Sequence, residues 1–151
     1  EPSEMGAAFG LIQLKKLIFN LNERQKNFNI HTKFLKKYNK YFILPEQLPG
    51  SKSGWLAYPI TIKNNAPFSR TEMQIFLEKR NIQTRVVFTG NILRQPGFKN
   101  LKVKKNKKKY PEADKVMKNG ILLACHHGLN KKMISHVHRS IDKFIYSKIK
   151  K

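Results

Sequence analysis

Acid is scarce in this chain. Nine Asp and Glu stand against 31 Lys and Arg in 151 residues, a formal net charge of +22. No carboxylates fall into a pair suited to general acid–base work, and Glu78, Glu112 and Asp114 read as solvated positions on helices. Cysteine is scarcer still. Cys125 is the only one, which excludes an intrachain disulfide and an all-cysteine zinc or iron–sulfur site. No apolar run is long enough to span a bilayer, and there is no secretory h-region. The glycine-rich phosphate loops of nucleotide-binding folds are missing as well. Cys125, His126 and His127 are three donors in a row, a poor spacing for one tetrahedral ion. His136 and His138, two residues apart, sit on different faces of a helix. The same two histidines beside Cys125 are too close in sequence to serve easily as its base. The reading is therefore no metal site and no catalytic set in this segment.

The positive charge calls for a partner or a compositional cause. Excess of this size favours polyanions through counterion release. Yet 25 of the 31 basic residues are Lys and 6 are Arg, in a chain also rich in Asn and Ile. That skew is what an AT-rich coding sequence gives. The densest run is Lys102, Lys104, Lys105, Lys107, Lys108 and Lys109, and it reads as a mobile surface loop. The aromatics belong to apolar patterns and are not interleaved with it, so no stacking surface for bases is indicated. A stand-alone basic module that binds nucleic acid stays as the rival reading, and a steep salt dependence of binding would mark it.

The chain begins at Glu1 and its apolar pattern starts within a few residues. It reads as a piece of a longer protein, a processed N-terminus being the alternative. Residues 3–40 carry Ala7, Leu11, Leu14, Ile18, Leu21 and Phe28 at helical spacing, which predicts one long helix. Phe9, Ile12, Leu17 and Phe19 lie off that stripe, so the first turns should be buried on several sides. Gly6 and Gly10, four apart, permit close packing there. A short strand candidate precedes the loop at 45–54. Trp55–Lys63 alternates as a strand with Leu56, Tyr58, Ile60 and Ile62 on one face, and Pro59 argues for an edge or bulge. Ser69-Arg70-Thr71-Glu72 is a capping box opening a helix to about Arg80. Strands follow at Ile82–Phe88 and Ile121–Ala124, flanking a short helix from Pro111 to Asn119 that Gly120 ends. Asn130 caps a final helix with Met133, Ile134, Val137, Ile141, Phe144 and Ile145 inward, fraying into its terminal lysines. This order predicts an α+β fold: a small mixed or antiparallel sheet of about three strands, packed helices and a long N-terminal helix.

The most informative stretch is Val87-Phe88-Thr89-Gly90-Asn91-Ile92-Leu93-Arg94-Gln95-Pro96-Gly97-Phe98. A strand breaks into a Gly-Asn turn, and a polar loop follows with a guanidinium and two amides. Loops at strand ends with such groups are places to meet a polar ligand. Arg94 offers a donor fork for phosphate or carboxylate; equally, it could hold the loop by bonding carbonyls. Arg85 lies in the preceding strand, where Val86 and Phe88 should face inward and the guanidinium outward.

These residues resemble a family signature. Ser3-Glu4-Met5-Gly6-Ala7-Ala8-Phe9-Gly10-Leu11-Ile12-Gln13-Leu14, Pro67-Phe68-Ser69-Arg70, the strand and loop over 82–98, Ala113-Asp114-Lys115-Val116-Met117-Lys118-Asn119-Gly120, and Gly128-Leu129-Asn130 together resemble the C-terminal domain of the DegT/DnrJ/EryC1/StrS sugar aminotransferases. Within that family the loop at 87–96 is similar to the 3-dehydrases of 4-keto-6-deoxy nucleotide sugars (CDP-4-keto-6-deoxyglucose type). It lacks the His-Tyr-x-Pro usual in the aminotransferases. The resemblance implies that residues 1–40 link to a large N-terminal domain missing from this chain and that 41–151 form the small domain. It implies an enzyme dependent on pyridoxal or pyridoxamine 5'-phosphate, held mainly by that large domain, with none expected in this segment alone. There the cofactor amine condenses with the sugar ketone and the cofactor acts as electron sink while the C3 hydroxyl leaves. Phe88, Asn91 and Arg94, with His126 and His127, become the substrate-binding candidates. A cytoplasmic homodimer, a role in deoxysugar or lipopolysaccharide biosynthesis, and an iron–sulfur reductase as partner are further implications.

Overall fold

The computed structural model describes residues 3–88, 90–98, 100 and 110–149. The lysine run at 102–109 and the last two lysines of the chain lie outside the described residues. Helices α1 (Glu4–Lys15) and α2 (Leu17–Leu35) are followed by a 3₁₀ turn at Lys36–Tyr38. Strand β1 (Phe42–Ile43), strand β2 (Ala57–Ile62) and helix α3 (Arg70–Glu78) come next. Strand β3 (Arg85–Val86) leads into 3₁₀ turns at Ile92–Arg94 and Pro96–Phe98. Helix α4 (Pro111–Asn119), strand β4 (Gly120–Ala124) and helix α5 (Lys131–Ile149) complete the chain.

The sheet has four strands in the order β1-β2-β4-β3, every pairing antiparallel. The short strand candidate before the loop at 45–54 is the two-residue β1, which brings the sheet of about three strands to four. Tyr58, Ile60 and Ile62 of β2 and Ile121 and Leu123 of β4 are buried. They pack with Phe42, with Met73 and Leu77 of α3, and with Ile141, Phe144 and Ile145 of α5. Each such side chain stabilises the fold by about 1.5–3 kcal/mol on burial. Pro59 sits in an inner strand, opposite Leu122 of β4. Because β1 pairs only with Thr61 and Ile62, no described strand lies on the other flank of Pro59, and the missing N–H costs no ladder bond there.

Several expectations are corrected. The N-terminal stretch is two helices, because the hydrogen-bond ladder tightens at Lys16 (φ −92°, ψ −4°), although its backbone stays right-handed helical. Its N–H bonds the Gln13 carbonyl at 3.0 Å, three residues back. α1 buries nothing within this chain, and no atom lies within 4 Å of a Cβ added at Gly6 or Gly10. Leu56 and Met133 are exposed, where the alternation put them inward. The strand expected over 82–88 shrinks to two residues. Glu78 is the reason on one side: its carboxylate accepts from the Thr84 N–H at 2.7 Å and the Thr84 hydroxyl at 2.9 Å. Glu78 is exposed, as read, and its carboxylate is nonetheless committed to Thr84. On the other side, Phe88 N–H turns back to the Val86 carbonyl at 2.9 Å. Val86 and Phe88 are exposed, so the apolar residues beside Arg85 do not face the core. Gly120 ends α4 in extended backbone (φ −77°, ψ 135°), and what it supplies is room. A Cβ there would stand 2.6 Å from the Val116 carbonyl and 2.7 Å from Val87 Cγ2.

The helix starts behave as read. Ser69 and Glu72 form the capping box in full, and Asn130 Oδ1 accepts from Met133 N–H at 2.9 Å. Lys148, one of the lysines expected to fray, belongs to α5 and bonds Glu72. The last turn of α3 closes by an Ile82 N–H to Leu77 C=O bond at 3.1 Å. Asn81, at φ 58°, takes the left-handed position often given to glycine.

Candidate functional site: the loop after β3

The loop residues 90–98 lie on one face of α4. Asp114 is the node. Its carboxylate accepts Arg94 Nε–H at 3.0 Å and Nη2–H at 2.9 Å, a two-pronged pair. It also accepts Asn91 Nδ2–H at 2.8 Å. The buried Asn91 amide is used at both ends, since its Oδ1 takes the Leu93 N–H at 3.1 Å and caps the first 3₁₀ turn. The bonds from Arg94 and then Asn91 hold the Asp114 carboxyl below its ordinary pKa. Exposed ion pairs contribute little, about 0–1 kcal/mol. The Asn91 amide matters more, because a buried amide left unpaired costs about 1–3 kcal/mol.

One turn further along α4, Met117 receives the rest of the loop. Gly90 has φ 62°, and a Cβ there would overlap the Met117 backbone and side chain. Gln95 Nε2–H reaches Met117 Sδ at 3.8 Å. Arg70, the first residue of α3, donates Nη1–H to the Met117 carbonyl at 2.7 Å. Positions 114 and 117 share a helix face, so one side of a nine-residue helix holds the loop by charge and by contact.

Phe88 sits differently. Its ring is 83% exposed and its φ is +42°. A bulky L-residue in the left-handed region costs about 1–2 kcal/mol, and here no burial offsets it.

The five candidate residues do not come together. Phe88, Asn91 and Arg94 lie beyond the Gly120 end of β4. His126 and His127 follow its other end, about 16 Å of strand away. The His126 ring accepts the Gly128 N–H at Nδ1, 3.2 Å away, and its carbonyl accepts Asn27 Nδ2–H at 2.9 Å. It is a turn histidine, and its ring also lines an apolar cleft of about 410 Å³ with Arg85, Leu129, Met133 and His136. His127 is exposed. Cys125 is buried, and burial pushes its thiol up to about 11.

Two sets of partners were invisible in the sequence. Asp114 looks like a first-turn carboxylate placed for the helix dipole, and no spacing rule points it at Asn91 and Arg94. His31 and His138 also meet, Nδ1 to Nε2 at 3.0 Å, although 107 residues separate them. Among the described residues no group of three or more His, Cys, Asp or Glu could hold a metal ion.

A pyridoxal group needs a carboxylate for its ring nitrogen and donors for its phosphate. The described residues do not fit it. A cleft of about 520 Å³ between the β2–α3 turn and α4 is lined by one carboxylate, Asp114. Arg94 and Asn91 already occupy that group.

The chain is thus a small antiparallel sheet covered by helices, with a polar loop clamped at its edge. Residues 3–142 match the model of the DegT/DnrJ/EryC1/StrS aminotransferase family, and the chain belongs to that family. It is 30% identical over 142 residues to the lipopolysaccharide biosynthesis protein RfbH of Salmonella typhimurium, covering 94% of this chain and 32% of that protein. It is 31% identical over 149 residues to the dTDP-4-dehydro-2,6-dideoxy-D-glucose 3-dehydratase of Saccharopolyspora spinosa, covering 95% and 30%. Among solved structures, the E. coli GDP-4-keto-6-deoxy-D-mannose-3-dehydratase with bound hydrated PLP superposes with a TM-score of 0.76 at 26% identity. That match covers 93% of this chain and 35% of the other. The chain thus spans about a third of the length of these relatives. No helix among the described residues is long and apolar enough to cross a membrane.

Proposed function

We propose that this chain is the small domain of a longer cytoplasmic enzyme that removes the C3 hydroxyl of a 4-keto-6-deoxy nucleotide sugar in deoxysugar or lipopolysaccharide assembly. The observation that carries this reading is the loop at 88–98. Its sequence resembles the 3-dehydrases, and its described residues, Phe88 and 90–98, are polar and anchored on α4, with an aromatic ring raised beside them. The similarity to a named 3-dehydratase over nearly the whole chain supports the same reading. The cofactor, pyridoxal or pyridoxamine 5'-phosphate, would be held by the upstream part and would supply the electron sink. This segment would close over the sugar. Phe88 stands on its side of the pocket, on the loop that Asn91 and Arg94 fasten, with His126 and His127 at a second, more distant margin. The whole enzyme would act as a homodimer and draw its electrons from an iron–sulfur reductase.

The test is chemical. The longer protein is mixed with pyridoxamine 5'-phosphate, a reduced iron–sulfur reductase and, in turn, CDP-, GDP- and dTDP-linked 4-keto-6-deoxyhexoses. Loss of the C3 oxygen in the product mass spectrum is the expected outcome. Gain of an amino group at C4 would instead make it a transaminase, the second reading that the family description supports. No turnover of any of these sugars in the presence of cofactor would reject both.

A further inference from the structure

The loop holds a cation that the eye assigns to substrate phosphate. The geometry points elsewhere. Both edges of the Arg94 guanidinium that reach Asp114 are spent on it, at 3.0 and 2.9 Å. Asn91 is buried and spends its amide on the same carboxylate and on the Leu93 N–H. Buried Asn91 is thus not left to read a ligand, and the two-pronged Nε/Nη2 edge of Arg94, whose side chain is 57% exposed, is taken by Asp114. What the loop leaves uncommitted is Phe88, raised on left-handed backbone with its ring almost wholly in solvent. Backbone strain persists where the surroundings over-determine it, and the surroundings here are specific. Gly90, two residues on, fits against Met117 only because it has no side chain. Asn91 and Arg94 then fix the register of the loop on α4 through Asp114.

We propose that Asp114 is a positioning residue for this loop: it keeps Asn91 and Arg94 turned onto α4, so that the loop meets its ligand with the Phe88 ring. The ligand class that suits an exposed phenyl ring is an apolar C–H face, such as one side of a sugar ring or a deoxy methyl group. Arg94 serves the loop through its Nε/Nη2 edge. This rests on the reading that the loop faces substrate.

The experiment uses the longer protein that carries this chain. Asp114→Ala removes every bond at the node, and alanine keeps α4 helical. Hydrogen exchange is followed in peptides over 90–98, with β4 and α5 peptides as controls. Steady-state kinetics are run with the nucleotide sugar that the protein turns over. Faster exchange confined to 90–98 is expected, with KM raised about ten- to a hundredfold and kcat little changed. Asp114→Glu, which keeps the charge and both oxygens, should recover part of the affinity; a merely structural defect would not follow that order. Arg94→Gln, at the exposed side of the pair, should move both readouts the same way, and it remains informative if the alanine variant does not fold. Unchanged exchange over 90–98 in both variants would overturn the proposal. Faster exchange with KM unmoved, and KM equally unmoved by Phe88→Ala, would overturn it differently: the loop would be clamped but would not touch substrate, and the site reading would fall with it.

Discussion

Phe88 sets the sharpest question at the level of single residues. An exposed phenylalanine at φ +42° gains nothing from burial and bears backbone strain, so a fold selected for stability alone has no use for it. Phe88→Gly should relieve the strain and raise the stability of the chain by about 0.5–1 kcal/mol, less the entropy glycine adds to the unfolded state. The same variant should weaken sugar binding in the longer enzyme. A melting temperature that rises while affinity falls is the outcome to look for; a fall in both would mean that the ring stabilises the fold after all. Gly90→Ala should act in the opposite sense. Positive φ and overlap with Met117 predict a loss of about 1–3 kcal/mol by chemical denaturation. The sequence marked Phe88, Asn91 and Arg94 as a group because they share one turn. It could not mark their anchor. Asp114 lies beyond the lysine run, and its pairing is set by how the loop folds back.

Between elements, the link that carries most consequence is the imidazole pair between α2 and α5. The Ala124 carbonyl can only accept, so His31 donates Nε2–H to it at 3.2 Å and accepts from His138 Nε2–H at Nδ1. Phe34 stacks on His138 with ring centroids 3.8 Å apart. Burial lowers the pKa of His31. It lowers that of His138 to about 4, with His31 and Lys37 adding to the effect and Asp142 opposing it. Both groups are therefore neutral when folded at pH values where the unfolded chain protonates them. Below about 6.5 the unfolded state binds more protons, so stability falls as pH drops from about 6.5 toward 4. The slope is at most about 1.4 kcal/mol per pH unit for each histidine. Denaturation across that range checks it: His138→Phe should flatten the profile, and an unchanged slope would show that other groups cause the loss. The capping box gives a simpler measurement. Ser69→Ala removes the bond to Glu72 N–H and should cost about 0.5–2 kcal/mol. Local signals of this kind were legible in the sequence: the caps at Ser69 and Asn130, the alternation of β2 and the stripe of α5. The short strands were not, because the bonds that truncate β3 come from Glu78 and from a turn at Phe88. His31 and His138 escaped notice for a related reason, since each looks like an isolated polar residue until α2 and α5 are brought together.

Across the whole molecule, the N-terminal third carries the strongest mismatch between sequence and surroundings. Met5, Phe9, Leu11, Leu14, Ile18 and Phe19 are each more than 60% exposed, whereas α2 becomes buried only from Asn27 onward. An apolar surface of that extent on a helix pair is rare in a monomer and marks an interface. The pattern of residues 3–40 had called for burial on several sides, and among the described residues that cover is missing. The relatives supply a candidate for it, since about two thirds of their length has no counterpart here. The proposed large domain is therefore the expected occupant of this face. If so, the 151-residue chain alone should self-associate with rising concentration, and Leu11→Ser with Ile18→Ser should suppress this with little change in the melting of the 41–149 core. In the longer protein the same two substitutions should instead destabilise, by about 2–5 kcal/mol for each well-buried side chain lost. Sedimentation of the short chain and thermal melts of the long one read these two arms separately. A short chain that stays monomeric at high concentration, together with a longer protein indifferent to both serines, would mean that the large domain packs elsewhere and that α1 faces solvent in the assembled enzyme.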